Sequence, residues 1–214
     1  CLQAAIGPVA CGNRGVHQSV DAFYCGILSL CLERKGVLRM QELIYKNAVL
    51  RNGDLRKRVC NRAILEFCSL LGMNLADMQV EDGGRFLGNG WERCNLFGMA
   101  LKGVTVEMDR FQGCSMGSTD FQDVRLEDVR FCDCSFSGSV WTETVLEGGV
   151  FQNCIFRGMG FVNVHFHRTV FQRCILDGCR MEETEMKKVR FRGCALQDVE
   201  GLPREGAGFQ DCSF

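Results

Sequence analysis

Cysteine returns every twenty residues through the second half of this chain, at Cys94, Cys114, Cys134, Cys154, Cys174 and Cys194. Phenylalanine keeps the same step at Phe111, Phe131, Phe151, Phe171 and Phe191. Two residue types locked to one long period mean a chain that comes back to the same place once per period, which is a solenoid. A shorter period of five runs inside it. From Leu96 to Leu196 every fifth residue is large and apolar, as at Val106, Met116, Phe136, Trp141, Phe156 and Phe161. Two residues before each stands a mostly small or β-branched residue, for example Thr119, Val124, Val129 and Ser139, with Met99, Asp109 and Met159 departing from the rule. Positions two apart on an extended segment share a face, so both point inward and the residue between them points out. Five residues then make one short side and a corner. Neither a helical period of 3.6 nor unbroken strand alternation keeps step with that spacing.

The pattern resembles the pentapeptide-repeat family, whose five-residue unit has a large central Leu or Phe and a small residue, often Ala or Cys, two before it. The resemblance implies a mainly β fold, a right-handed quadrilateral parallel β-helix with four units per square turn, over residues 73–214. About seven turns at the strand spacing would make a rod roughly 30 Å long. Trp91 heads the phenylalanine column, and Leu75, Val80 and Phe86 fit a first turn with one extra residue near Gly83 and Gly84. Phe209 and Phe214, preceded by Ala207 and Cys212, rejoin the columns after a last turn shortened around Pro203. An open solenoid end exposes apolar surface and unpaired backbone, so the C-terminal end is expected to form a homodimer or to continue into a longer protein.

Residues 1–72 read as a separate N-terminal element of about three helices. Segments 18–35, 38–51 and 55–71 have helical apolar spacing, as in Ala22, Cys25 and Leu30 or in Val59, Ile64, Phe67 and Leu71. Gly36, Gly53 and Gly72 stand where helices would stop, and Asp54 is a candidate cap for the third. Such a unit would cover the N-terminal end of the rod.

With 46% apolar residues and only two prolines the chain can bury a core. Its longest apolar run, Ala22 to Leu32, is too short to span a bilayer. Fifteen cysteines would ordinarily suggest a disulfide framework. Stacked neighbours one strand spacing apart hold their Cβ vectors parallel instead of facing, so the column reads as reduced thiols used as small core residues. That implies a reducing compartment, cytoplasmic or reached by delivery into a host cell. A single file of thiols cannot surround a metal ion tetrahedrally, and no metal or other cofactor is expected. Cys132 is the rod cysteine expected at the surface.

Several motifs imitate catalysis. Gly113-Cys114-Ser115-Met116-Gly117 matches G-x-S-x-G, but the nucleophile elbow needs a strand-to-helix turn, and here Cys114 and Met116 are core positions. His165 and His167 flank inward Phe166 and so share one outer side, with no third ligand in view. The glycines between residues 83 and 90 lack the P-loop lysine. The chain is therefore read as noncatalytic.

Function is then expected on the outer faces. One outward column runs Glu107, Glu127, Glu147, His167, Lys187, reversing sign along the rod. Outward Val140, Val145, Val150 and Ile155 ring one turn, and Val170 and Ile175 stack on Val150 and Ile155. These last four are expected to form a contiguous apolar patch rimmed by Arg130, Arg157, Arg173 and Arg190, a surface for a protein partner of unknown identity. The reading is a protein-interaction module or scaffold, including a bacterial effector or a fragment of one. The family resemblance supplies an alternative: a duplex-DNA mimic of the quinolone-resistance type that binds gyrase or topoisomerase. Residues 94–214 carry 13 basic and 17 acidic side chains, a weak net of −4 for such a mimic. Direct nucleic-acid binding is disfavoured because no basic stripe with interleaved exposed aromatics occurs.

Overall fold

Each five-residue unit folds as a short extended side closed by a left-handed corner. In the computed structural model, which describes residues 32–34 and 37–214 with side chains from residue 42 onward, the corner falls two residues after each core residue. Every unit from Phe86 to Leu196 has it, with φ between 49° and 70°, as at Gly98, Asp123, Asn153 and Arg173. Fifteen of these 23 corners are Gly, Asn or Asp, the residues that enter the left-handed region at least cost.

Four corners close a square, and each turn stacks on the last in parallel register. Faces are named here by their core columns. Face 1 carries Phe86, Val106, Leu126, Leu146, Phe166 and Met186; face 2 carries Trp91 and the phenylalanines 111 to 191. Face 3 follows with Leu96, Met116, Phe136, Phe156 and Leu176, and face 4 with Leu101, Phe121, Trp141, Phe161 and Met181; all are buried. Faces 4 and 1 belong to one 15-stranded sheet, joined through the long strand Arg58–Glu66, and face 2 is a separate nine-stranded sheet. Face 3 is held by single bridges such as Ser135↔Ile155 and Ile155↔Ile175. The register step is twenty residues, as in Phe131↔Phe151 and Leu126↔Leu146. It lengthens once, where Gly84 pairs with Ala63 behind it and with Val104 ahead. A Cβ at Gly84 would collide with the Ala63 carbonyl, so the extra residue needs glycine at this point. The step shortens to eighteen at Phe191↔Phe209, as expected around Pro203.

The helices expected over 38–51 and 55–71 are strands. Val37–Lys46 and Arg58–Glu66 pair in parallel from Leu38↔Arg58 to Lys46↔Glu66, and Val49–Arg51 pairs with Ser69–Leu71. The buried residues Cys60, Ala63, Leu65, Cys68 and Leu70 are spaced by alternating threes and twos. Over one or two units that spacing imitates a helical stripe, and only the continuing register distinguishes it. No helix occurs among the described residues, and the solenoid runs about eight turns instead of seven. Most of the segment 18–35 lies outside the described residues; its last part, Leu32–Arg34, is a strand antiparallel to Val37–Arg39.

Two interactions fill the interior. On face 2 the rings stack from Trp91 through Phe111, Phe131, Phe151, Phe171 and Phe191 to Phe209, with centroids 4.6–5.3 Å apart. The inward position two residues before each core residue presents an amide that the side chain stacked above can cap. Gly53 N–H meets Met73 Sδ at 3.1 Å, Thr119 N–H meets Ser139 Oγ at 3.0 Å, and Cys68 N–H meets Asn89 Oδ1 at 2.8 Å.

Asp109, a departure from the small-residue rule, ends one such ladder. It is fully buried, and its carboxyl accepts the Asn89 amide at 2.7 Å, the Asn89 Nδ2 group at 3.1 Å and the Trp91 indole N–H at 2.8 Å. Asn89 Nδ2 also donates to Leu65 O at 2.8 Å, tying three turns together. Burial pushes the Asp109 carboxyl up to about 7, outweighing these N–H donors. The folded chain therefore binds a proton at this site more readily than the unfolded chain. Stability from Asp109 is full below the ordinary carboxylate range and declines as pH rises toward 7, by up to about 4 kcal/mol. Urea unfolding of wild type and Asp109→Asn across pH 4–8 checks this: the wild-type decline should flatten in the variant, and parallel curves would refute it.

Candidate interaction surface

The cysteine column stands inside the rod. Cys94, Cys114, Cys134, Cys154, Cys174 and Cys194 are buried free thiols on the inner edge of face 3. Each donates to a carbonyl on face 2 of the turn below, for instance Cys154 Sγ to Phe131 O at 3.4 Å and Cys194 Sγ to Phe171 O at 3.4 Å. Each sulfur above Cys94 also lies over the amide of the cysteine beneath it. The bond to the stacked Cys134 thiol, opposed by that to Cys94 and reinforced by burial, pushes Cys114 up to about 12. Burial does the same to Cys179, which donates to Phe156 O at 3.0 Å. Thiols raised this way are neutral at physiological pH and are no nucleophiles, whereas the bond to Cys174 lowers Cys194 at the end of the file. Cys132 and Cys212 are half-exposed.

The motif residues have structural places. Ser115 is paired between Asn95 and Ser135 on face 3, and Cys114 and Met116 are buried on either side of it. His165 Nδ1 lies 3.2 Å from Glu185 and His167 Nδ1 lies 3.1 Å from Glu147. Among the described residues no three His, Cys, Asp or Glu side chains are grouped as metal ligands.

Face 1 carries the charged column in register: Glu107↔Glu127↔Glu147↔His167↔Lys187. Its carboxylates are engaged. Arg85 pairs with Glu107 at 2.9 Å, Arg125 pairs with Glu127, and Glu147 receives Arg168 at 2.8 Å as well as His167. The sign reversal anticipated along this side is thus a laced ladder, with arginines on both flanks. The nearby acids Asp123, Asp128 and Glu143 occupy left-handed corners.

On face 2 the outward column before the core reads Arg110, Arg130, Val150, Val170, Arg190 in continuous register. On face 3 the matching column reads Ser135, Ile155, Ile175, Ala195. Val150, Val170 and Ile175 are half-buried and Ile155 is exposed. Gln152, Gln172 and the corner residues Asn153 and Arg173 stand between the two columns. Arg173 is therefore central to the surface, while Arg130 and Arg190 close the ends of the valine column. Arg157 lies on face 3, 4.0 Å from Asp177.

Three exposed apolar side chains escaped the sequence reading. Phe67 and Met108 occupy corners of positive φ between faces 1 and 2, and Phe97 follows core Leu96 on face 3; all are about half exposed. The signal was present in the five-residue register, because a large residue at the corner or just after the core has nowhere to go but outward. At the C-terminal end Arg204 lies over Phe214 at 4.4 Å and over Phe209 at 5.2 Å.

A family model for the pentapeptide repeat region matches residues 149–214. The same unit, with its core residue, inward small residue and left-handed corner, continues upstream of that stretch. Residues 149–214 are thus a pentapeptide-repeat region. Solved structures similar to this pentapeptide-repeat rod include a trypsin-treated variant of QnrB1, a plasmid-mediated fluoroquinolone resistance protein, at 16% identity over 77% of this chain and 90% of that one, with TM-score 0.35. HetL, involved in heterocyst differentiation regulation in the cyanobacterium Nostoc sp. strain PCC 7120, is 12% identical over 83% of this chain and 86% of that one, with TM-score 0.33. Rfr23 from the cyanobacterium Cyanothece 51142 is 10% identical over 75% of this chain and 90% of that one, with TM-score 0.26. No curated protein matches the chain.

The thiol geometry has a direct readout. Native rod treated with iodoacetamide at pH 8 and mapped by peptide mass should carry label at Cys132 and Cys212 and none in the column from Cys94 to Cys194 until denaturant is added. Labelling of the column at the rate of Cys132 would contradict the buried thiol ladder.

Proposed function

We propose that this pentapeptide-repeat rod is a noncatalytic protein-binding module whose partner seats across faces 2 and 3 on Val150, Val170, Ile155 and Ile175. One observation carries the reading: outward β-branched side chains repeat in register on consecutive turns of both faces, beside Arg130, Arg173 and Arg190, which have no ion-pair partner among the described residues. Apolar side chains with a charged surround are the composition of an interface centre and its rim. Buried thiols in file suit a reducing compartment, and the role is that of a scaffold or of an effector acting inside a cell. Homodimerisation through the C-terminal end is kept as a second contact, with Phe209 and Phe214 beneath Arg204 as its surface.

The duplex-mimic reading finds less support. A mimic presents unpaired carboxylates in a line, whereas Glu107, Glu127 and Glu147 are each engaged by arginine or histidine. In a gyrase supercoiling assay the rod is expected to leave the enzyme uninhibited at micromolar concentration; inhibition would replace the scaffold reading with the mimic. The surface itself is tested with tagged wild type and Val150→Asp/Ile175→Asp, matched for thermal unfolding midpoint. A protein retained by wild type should be lost from the variant, and identical retention by a folded variant would end the proposal.

A further inference from the structure

The rod neutralises one ladder of like charges and leaves another bare. On face 1, stacked Glu107, Glu127 and Glu147 are laced by Arg85, Arg125 and Arg168. On face 2, Arg110 stacks directly on Arg130, and Arg190 and Arg192 project from one strand with Arg173 one turn below. Among the described residues none of these five arginines is within ion-pair distance of a carboxylate, while Arg93, one turn below Arg110 at the corner of the same face, and Arg157 and Arg180 on other faces each have one. The only acid on face 2 across those turns, Asp133, is occupied by Gln112 at 2.6 Å and Asn153 at 3.0 Å. Five arginines against one aspartate give this face a charge of +4 on a segment, residues 94–214, whose net is −4. Like charges directly opposite on neighbouring strands are destabilising unless something lies over them. The opposite face and its corner carry Asp120, Asp123, Glu143, Glu182 and Glu183 beside a single arginine, Arg180, in the same turns, so the charge on the two faces is of opposite sign.

We infer that face 2 receives an acidic protein segment with an aliphatic residue between its carboxylates; this names the partner class for the interaction surface proposed above and rests on that reading. The column Arg130, Val150, Val170, Arg190 sets the pattern. Its two arginines are three turns apart, about 14 Å at the strand spacing, which an extended segment covers in about four residues. A carboxylate at each end reaches Arg130 and Arg190 while the intervening aliphatic side chain covers the valines, and Arg173 closes the flank. A nucleic-acid strand fits less well. Phosphates laid along the column would bury charge against two valines, and the column offers no aromatic ring on which a base could stack.

The test is a displayed library of random dodecapeptides selected on the tagged rod and counter-selected on Arg130→Glu/Arg190→Glu, with both proteins checked for equal unfolding midpoints. Enriched peptides should be acidic with an aliphatic residue between carboxylates. The labelled consensus peptide should bind the charge-reversed rod at least tenfold more weakly by fluorescence anisotropy, and its affinity for wild type should fall as salt is raised. Enrichment of neutral or basic peptides, or tighter binding of a DNA oligonucleotide of equal charge, would overturn the partner class. If acidic peptides bind the reversed rod as well as wild type but fail on Val150→Asp/Ile175→Asp, the partner class falls and the interaction surface stands. If neither variant weakens binding, or no peptide enriches, both fall. Association of the rod with itself that the arginine reversal abolishes would make the occupant a second copy and would likewise overturn the proposal.

Discussion

The left-handed corner two residues after each core side chain is the constraint on which the rest of the rod depends. It fixes the side at five residues and sets both the core residue and the residue two before it inward. A corner of this kind costs an L residue on the order of 1–2 kcal/mol, and glycine escapes the cost. The chain places Gly, Asn or Asp at most corners and spends a strained conformation on Phe67, Met108, Arg168, Arg173 and Lys188. Stacking between turns overdetermines most of these positions, because the corner amides of Phe67, Met108, Arg168 and Arg173 donate to the next turn, as Arg173 N–H does to Arg192 O at 2.8 Å.

The same corner explains the chemistry of the inner column. The inward amide behind each core residue needs a partner, and a side chain stacked one turn above is the atom within reach. Sulfur serves along face 3, hydroxyl at Ser139, amide at Asn89 and carboxylate at Asp109, while other inward amides of face 4, such as those of Met99 and Met159, donate to the carbonyl three residues back. The cysteines combine small volume, tolerance of burial and a weak donor and acceptor in one atom. That combination makes them useful to the core and inert as nucleophiles. Asn89 sits one face along from the lengthened turn at Gly84, with Asp109 stacked one turn above it, where the register slips by one residue and the backbone of Leu65 and Cys68 needs side-chain partners.

The fold was legible from Leu75 onward because the repeat states its own geometry: Phe111 to Phe191 and Cys94 to Cys194 could be assigned to adjacent sides with no other information. Burial of Cys94 to Cys194 and the partial exposure of Cys132 followed from the same count. The first turns were misread as helices because Cys60, Ala63, Leu65, Cys68 and Leu70 supply too few units to separate a five-residue period from a helical one. The valine and isoleucine columns were also found by counting, but their separation by Gln152, Gln172 and Arg173 was not. Counting outward positions ignores the corner residue, and the corner is where Asn153 and Arg173 project. Ion pairing was invisible as well, since it depends on which arginine in the neighbouring column reaches across.

That difference in pairing decides how the outer surface should be understood. Residue types alone present the Glu107–Glu147 column as the distinctive feature, yet its charges are cancelled locally by Arg85, Arg125 and Arg168. Exposed pairs of this kind contribute little to stability, about 0–1 kcal/mol each, but they remove the column's long-range field. The arginines of face 2 keep theirs. A solenoid has no loops or cleft in which to build a site, so it distinguishes one face from another only through the side chains left unpaired on flat sheet. By that measure face 2, with Val150 and Val170 held between uncancelled arginines, is the face on which this rod differs from an ordinary solvated exterior.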